Sequence, residues 1–166
     1  MSSTSSQLEL RTYEAGDAAQ LADLYFRSAR VLGARRYSLE QVSAWAPAPA
    51  DPAIVHGRAS DGRTTVVAVD CQGAVLGYGD LEADGHIDHL YCRPEAAGTG
   101  VAAAILGELK VRAQEQGVSR LYVEASELAR SLFERHGFTV QHRRDFEVRG
   151  VAIHNYAMEC RLSAPA

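Results

Sequence analysis

Apolar positions recur along this chain with two periods, and the switches between them mark out its elements. Residues 8–13 alternate, Leu8, Leu10 and Thr12 against Glu9 and Arg11, which predicts a first strand. Leu21, Leu24, Tyr25 and Ala29 then fall on one helical face, with Asp17 placed to cap that helix. Ser38 followed three residues later by Gln41 is a capping-box signature for a second helix over 39–45. Pro47, Pro49 and Pro52 break the chain, with a short helix expected around 53–58. The run 64–69 is β-branched and apolar, Gln72-Gly73 is a turn, and 74–81 completes a hairpin. After the Asp84-Gly85 turn, 86–92 reads as the third strand of a meander. Val101, Ala104, Ile105 and Leu109 carry a helix to about Gln116, stopped by Gly117. The short apolar run 121–123 suits a buried strand. Ser126 opens a helix with Leu128, Ala129, Leu132 and Phe133 that ends at Gly137, and 138–148 pairs with 151–161 around Arg149-Gly150. The order is βααβββαβαββ: an α/β (α+β) fold with a mixed, mostly antiparallel, twisted sheet of about seven strands and about four helices. The third meander strand, the long helix and 121–123 form a parallel βαβ unit.

The most telling stretch is Leu90-Tyr91-Cys92-Arg93-Pro94-Glu95-Ala96-Ala97-Gly98-Thr99-Gly100-Val101-Ala102, a strand that meets a Gly-rich turn and passes directly into a helix. The first N–H groups of a helix have no partner within it, and the helix dipole adds positive character there. Gly98 and Gly100 let the backbone come close to a phosphate, so a bound pyrophosphate is the expectation.

Composition narrows the classes. The 166 residues fit one domain, expected over 8–162, and the Ser-rich residues 1–7 read as a frayed tail with neither a signal-peptide core nor a membrane span. Net charge is −4 with no basic block, which speaks against nucleic acid. Cys71, Cys92 and Cys160 are too few and too scattered for a disulfide framework or a metal cluster, and suit a reducing cytoplasm.

Two blocks give the chain a likeness. Ala97-Gly98-Thr99-Gly100-Val101-Ala102 resembles the Gln/Arg-x-x-Gly-x-Gly/Ala signature of the GNAT superfamily of N-acetyltransferases, preceded as there by an apolar strand and Pro94. Residues 129–138 are similar to that superfamily's Ala-x-x-Phe-Tyr-Glu-Lys-x-Gly-Phe block. Residues 37–47, 124–138 and 149–158 also resemble its small bacterial YafP-type branch. Two departures stand out: Ala97 replaces the usual Arg or Gln, and Phe133 replaces a Tyr that serves much of the superfamily as general acid to the leaving thiolate.

The resemblance implies a cytoplasmic, acetyl-CoA-dependent enzyme that moves an acetyl group to a primary amine of a small molecule or peptide by direct attack in a ternary complex. A homodimer is possible, as is common in the superfamily. It implies that coenzyme A lies against Ala97, Gly98, Thr99, Gly100, Val101 and Ala102, with its arm beside Leu90, Tyr91 and Cys92 and near Ser126 and Phe133. The Cys92 amide would polarise the thioester carbonyl. Ser126 either meets the arm or caps its own helix. Glu82, His86 and Asp88 are alternative bases, His86 and Asp88 sharing a strand face by the i, i+2 rule. No position carries the superfamily's catalytic Glu over residue by residue. His89 alternates with Ile87 and Tyr91 and reads as structural. Tyr156 is a candidate for the missing acid, with a core tyrosine as the alternative. Tyr37, Trp45 and Asn155 are candidates for the acceptor wall, where Trp45 can meet a cationic amine through its ring face. A non-catalytic acyl-CoA binding or sensing module is the competing reading, motivated by Phe133. A nucleotide-phosphate loop is a third, weakened by the lack of a following Lys-Ser/Thr.

Overall fold

In the computed structural model, which describes residues 7–163, the mixed α/β class and the run of elements expected from the sequence are present, with one strand divided and one helix more definite. The strands are β1 (Glu9–Thr12), β2 (Thr64–Val69), β3 (Val75–Leu81), β4 (His86–Ile87), β5 (Leu90–Cys92), β6 (Arg120–Ala125), β7 (Thr139–Val148) and β8 (Val151–Arg161). The helices are α1 (Ala18–Arg27), α2 (Leu39–Trp45), α3 (Pro52–Ala59), α4 (Val101–Glu115) and α5 (Arg130–Arg135). The expected tail, residues 1–7, lies outside the described residues except for Gln7.

The single expected sheet is two, β1-β2-β3-β5 and β4-β6-β8-β7. They part because the anticipated strand 86–92 is broken. β4 pairs in parallel with β6, and β5 pairs antiparallel with β3 alone. Main-chain bonds show the cause: Glu82 N bonds His86 O and Asp80 N bonds His89 O, so one strand takes three steps while its neighbour takes two. The extra residue makes a β-bulge. Its two adjacent amides, Asp88 N and His89 N, converge on Asp80 Oδ1 at 3.1 and 2.9 Å. The alternation that would put His86 and Asp88 on one face is thereby lost.

Local signals explain how the neighbouring elements are placed. Ser38 Oγ accepts from Gln41 N at 3.1 Å and Gln41 Oε1 accepts from Ser38 N at 2.8 Å, the full capping box, a contribution of about 1 kcal/mol. Gln41 also donates to Ala152 O, which ties α2 to β8 and delivers Trp45 to the gap between the sheets. Asp51 caps α3 and Pro52 stands at its first turn. Asp17 does not cap α1: its buried carboxylate takes two bonds from Arg11 and one from Glu14 N, pinning β1 to the turn before the helix. Ile105, Leu106 and Leu109 of α4 are buried against Val66 and Ala68. Gly77 and Gly79 make that contact close, since a Cβ on Gly79 would stand 2.9 Å from Ile105 Cγ2.

Candidate active site

The divided strand leaves a wedge between the sheets. His89, Tyr91 and Arg93 are in phase to bond β3, so the N–H and C=O groups of Leu90 and Cys92 point away from it, and β5 is the last strand of its sheet. Two cavities fill the wedge. A groove of about 210 Å³ runs from Ala97, Gly98 and Ala102 past Cys92 to Leu90 and Ser126. A chamber of about 190 Å³ continues among Tyr37, Phe146, Ile153 and His154. Trp45, Leu90, Tyr91, Ser126 and Ala129 line both, so the two spaces meet there.

At the far end of the groove, Gly98 and Gly100 adopt φ of 76° and 89°, where a side chain would be strained. Ala97 N bonds Pro94 O and Thr99 N bonds Ala96 O, both at 3.2 Å, so these two amides are engaged within the turn. The amides of Gly98, Gly100, Val101 and Ala102 have no acceptor among the described residues. They form a row of donors on the positive end of α4. Arg35, which the sequence reading did not single out, also lines the groove.

Of the three candidate bases, only Asp88 lines the chamber. Burial pushes its carboxyl up, but hydrogen bonding and charge from Arg58 outweigh burial and hold it below the ordinary value. His86 reaches the chamber through Glu124: its Nε2 lies 2.5 Å from Glu124 Oε2 and its Nδ1 2.9 Å from Glu82 Oε1. Burial works to lower the His86 pKa, and the bonds to Glu124 and Glu82 reverse that and raise it. Glu124 lines the chamber and was missed in the sequence. The alternation of buried Leu121, Val123 and Ala125 with Tyr122 and Glu124 in β6 was the available signal.

Other candidates are placed as follows. Tyr156 lines neither cavity, and its hydroxyl donates to Glu127 Oε2 at 2.8 Å, beside His154 Nε2 at 2.6 Å. Tyr37 lines the chamber, donates to His154 O at 2.8 Å and accepts from Glu127 N at 2.7 Å. Asn155 lines it too, with Oδ1 accepting from Arg144. Phe133 is buried, edge-on to Phe138, and forms chamber wall. Ser126 Oγ accepts from Ala129 N at 3.1 Å, capping the turn before α5, and still sits where groove and chamber join.

His89 is structural. Tyr78 OH and Arg58 Nη1 lie 2.9 and 2.8 Å from its Nδ1; with Arg58 a donor only, Nδ1 is the acceptor and the proton sits on Nε2. Burial and Arg58 lower its pKa from 6.5 to about 4. As pH falls, the unfolded chain takes up this proton first. The stability from His89 is therefore complete above 6.5 and is lost on the way down to about 4, by up to about 1.4 kcal/mol per pH unit. The raised His86 acts only above its unfolded value, so it leaves this window alone. Urea unfolding between pH 7 and 4.5 should show a flatter profile for His89→Gln than for the native chain; equal slopes would refute the assignment.

Comparison with known proteins bears directly on this wedge. Residues 33–160 match the family described as an acetyltransferase (GNAT) domain. The chain belongs to the GNAT acetyltransferase family. It is 30% identical over 151 residues to the uncharacterized N-acetyltransferase YafP of Escherichia coli (strain K12), covering 91% of this chain and 94% of that one. Among solved structures, it is similar to a GCN5-related N-acetyltransferase from Rhodopseudomonas palustris, at 34% identity and a TM-score of 0.86 over 95% of this chain and 97% of the other. It is also similar to a phosphinothricin acetyltransferase from Sinorhizobium meliloti in complex with acetyl-CoA, at 25% identity and a TM-score of 0.74 over 93% and 88%. No helix among the described residues is long and apolar enough to cross a membrane.

Proposed function

We propose that this acetyltransferase moves an acetyl group from acetyl-CoA to the primary amine of a small molecule or peptide, by direct attack with both substrates bound. One observation carries the reading: a continuous space joins the glycine turn at the start of α4, where Gly98 and Ala102 line the groove with unengaged amides, to a chamber that holds carboxylates. The donor set fits a diphosphate followed by an amide-rich arm, since Gly98, Gly100, Val101 and Ala102 offer N–H groups and β5 offers an unpaired strand edge. Acetyl-CoA supplies the activated acyl group as a thioester.

The chain's own groups divide the remaining work. Leu90, at the junction of groove and chamber, presents the amide best placed to polarise the carbonyl; Cys92 lies deeper in the groove and holds the arm. Glu124 takes the proton from the amine, and His86 and Glu82 extend that path away from the chamber. Asp88, tied to Arg58, keeps negative charge by the acceptor without serving as base. Ser126 Oγ, whose proton is not donated to any described group, faces the leaving sulfur in place of the missing tyrosine at 133.

Acetyl-CoA at about 100 times its Kd is expected to raise Tm by roughly 5–10 °C, with coenzyme A acting alike and ATP or NAD not at all. Thiol release with an amine panel then tests transfer. Absence of stabilisation would end the donor reading, and binding without release on any amine would favour the acyl-CoA-sensing alternative.

A further inference from the structure

The chamber's walls define the class of amine, an inference that rests on the acetyltransferase reading above. We propose that the acceptor is a primary alkylamine with a flat apolar body and no anionic group, as in an arylalkylamine. Among the Asp, Glu, Lys and Arg side chains that line the chamber the charge has one sign: Asp88 and Glu124 line it, and no Lys or Arg does. Its one other titratable cation former, His154, has Nε2 on Glu127. The nearby guanidinium groups stand behind the lining with their bonds already committed, Arg58 to Asp80 and Asp88 and Arg144 to Asn155 Oδ1. An ammonium group is therefore welcomed, and a carboxylate or phosphate on the same molecule would enter beside two carboxylates and meet no cation in the lining that could pair it.

The rest of the lining selects the body. Tyr37, Trp45, Tyr91 and Phe146 surround the space, with Trp45 edge-on to Tyr37 at 5.9 Å and tilted to Tyr91 at 6.2 Å. Two of these rings have their polar tips occupied: Trp45 Nε1 donates to Tyr25 OH and Tyr37 OH to His154 O. These two rings and Phe146 offer a ligand ring carbon, which suits a planar apolar group packed edge to face. At about 190 Å³ the chamber takes one ring on a short arm, and the arm lets the nitrogen reach Glu124 while the ring stays among the aromatics.

The test uses the full chain, saturating acetyl-CoA and a matched set of amines. 2-Phenylethylamine and phenylalanine differ by one carboxylate, and a lysine-containing peptide represents the polar alternative. The expected result is a kcat/KM for 2-phenylethylamine on the order of 100-fold above that for phenylalanine or the peptide. Phe146→Ala is expected to raise its KM about tenfold with kcat changed little. Equal or better use of phenylalanine or the peptide overturns the inference, as does acetyl-CoA stabilisation with no turnover of 2-phenylethylamine. Loss of both stabilisation and turnover on every amine would instead strike the acetyltransferase reading itself.

Discussion

Replacing Asp80 with alanine is expected to lower the free energy of unfolding by about 3–5 kcal/mol, read from urea denaturation. This carboxylate is 1% exposed and serves four groups. Oδ1 receives the two bulge amides, while Oδ2 lies 2.8 Å from Arg58 Nη1 and 3.4 Å from Arg63 Nη1. Alanine would strand two amides at the bulge and leave two guanidinium groups, 25% and 11% exposed, without a buried partner. Asp80→Asn keeps an acceptor for the amides and loses only the charge, so it should fall between alanine and the native chain. A loss below about 1 kcal/mol for alanine would show that the bulge stands without this grip.

Glu124→Gln should lower kcat by on the order of 100- to 1,000-fold with an amine acceptor, while the KM for acetyl-CoA changes less than about twofold. Glutamine keeps the shape and the contact with His86 Nε2 but cannot take a proton. Because Glu124 lines the chamber and not the groove, the loss belongs to the chemical step and not to donor binding. The competing base is Asp88, which Arg58 keeps anionic but weakly basic. Full activity in Glu124→Gln together with a dead Asp88→Asn would reverse the two roles.

What the sequence made legible is what short-range chemistry decides. Ser38 and Gln41 are three residues apart and cap one another, so α2 was readable to the residue. Arg149 and Gly150, both at positive φ, close the final hairpin where the pattern put it. The strand, glycine turn and long helix are likewise contiguous in the chain. The bulge was hidden because its cause, Asp80, sits on the neighbouring strand, and alternation alone reads 86–92 as unbroken. Asp17 has the right residue type for a helix cap and was claimed instead by Arg11 of β1. The Glu124–His86 and Glu127–His154 pairs join residues 38 and 27 positions apart, contacts that no local pattern announces. The α3 helix carried its signals, Asp51 and Pro52, amid prolines that argued for a break.

The missing side chains at Gly77 and Gly79 reach further than packing. They set the height of a fifteen-residue rod above its floor, and the tip of that rod is where the donor row stands. A methyl group at position 79 would prop the rod up and swing the tip aside. Affinity for the donor would then fall although every atom facing the groove were unchanged, so a mutational scan would score as contacts two residues that never touch the ligand.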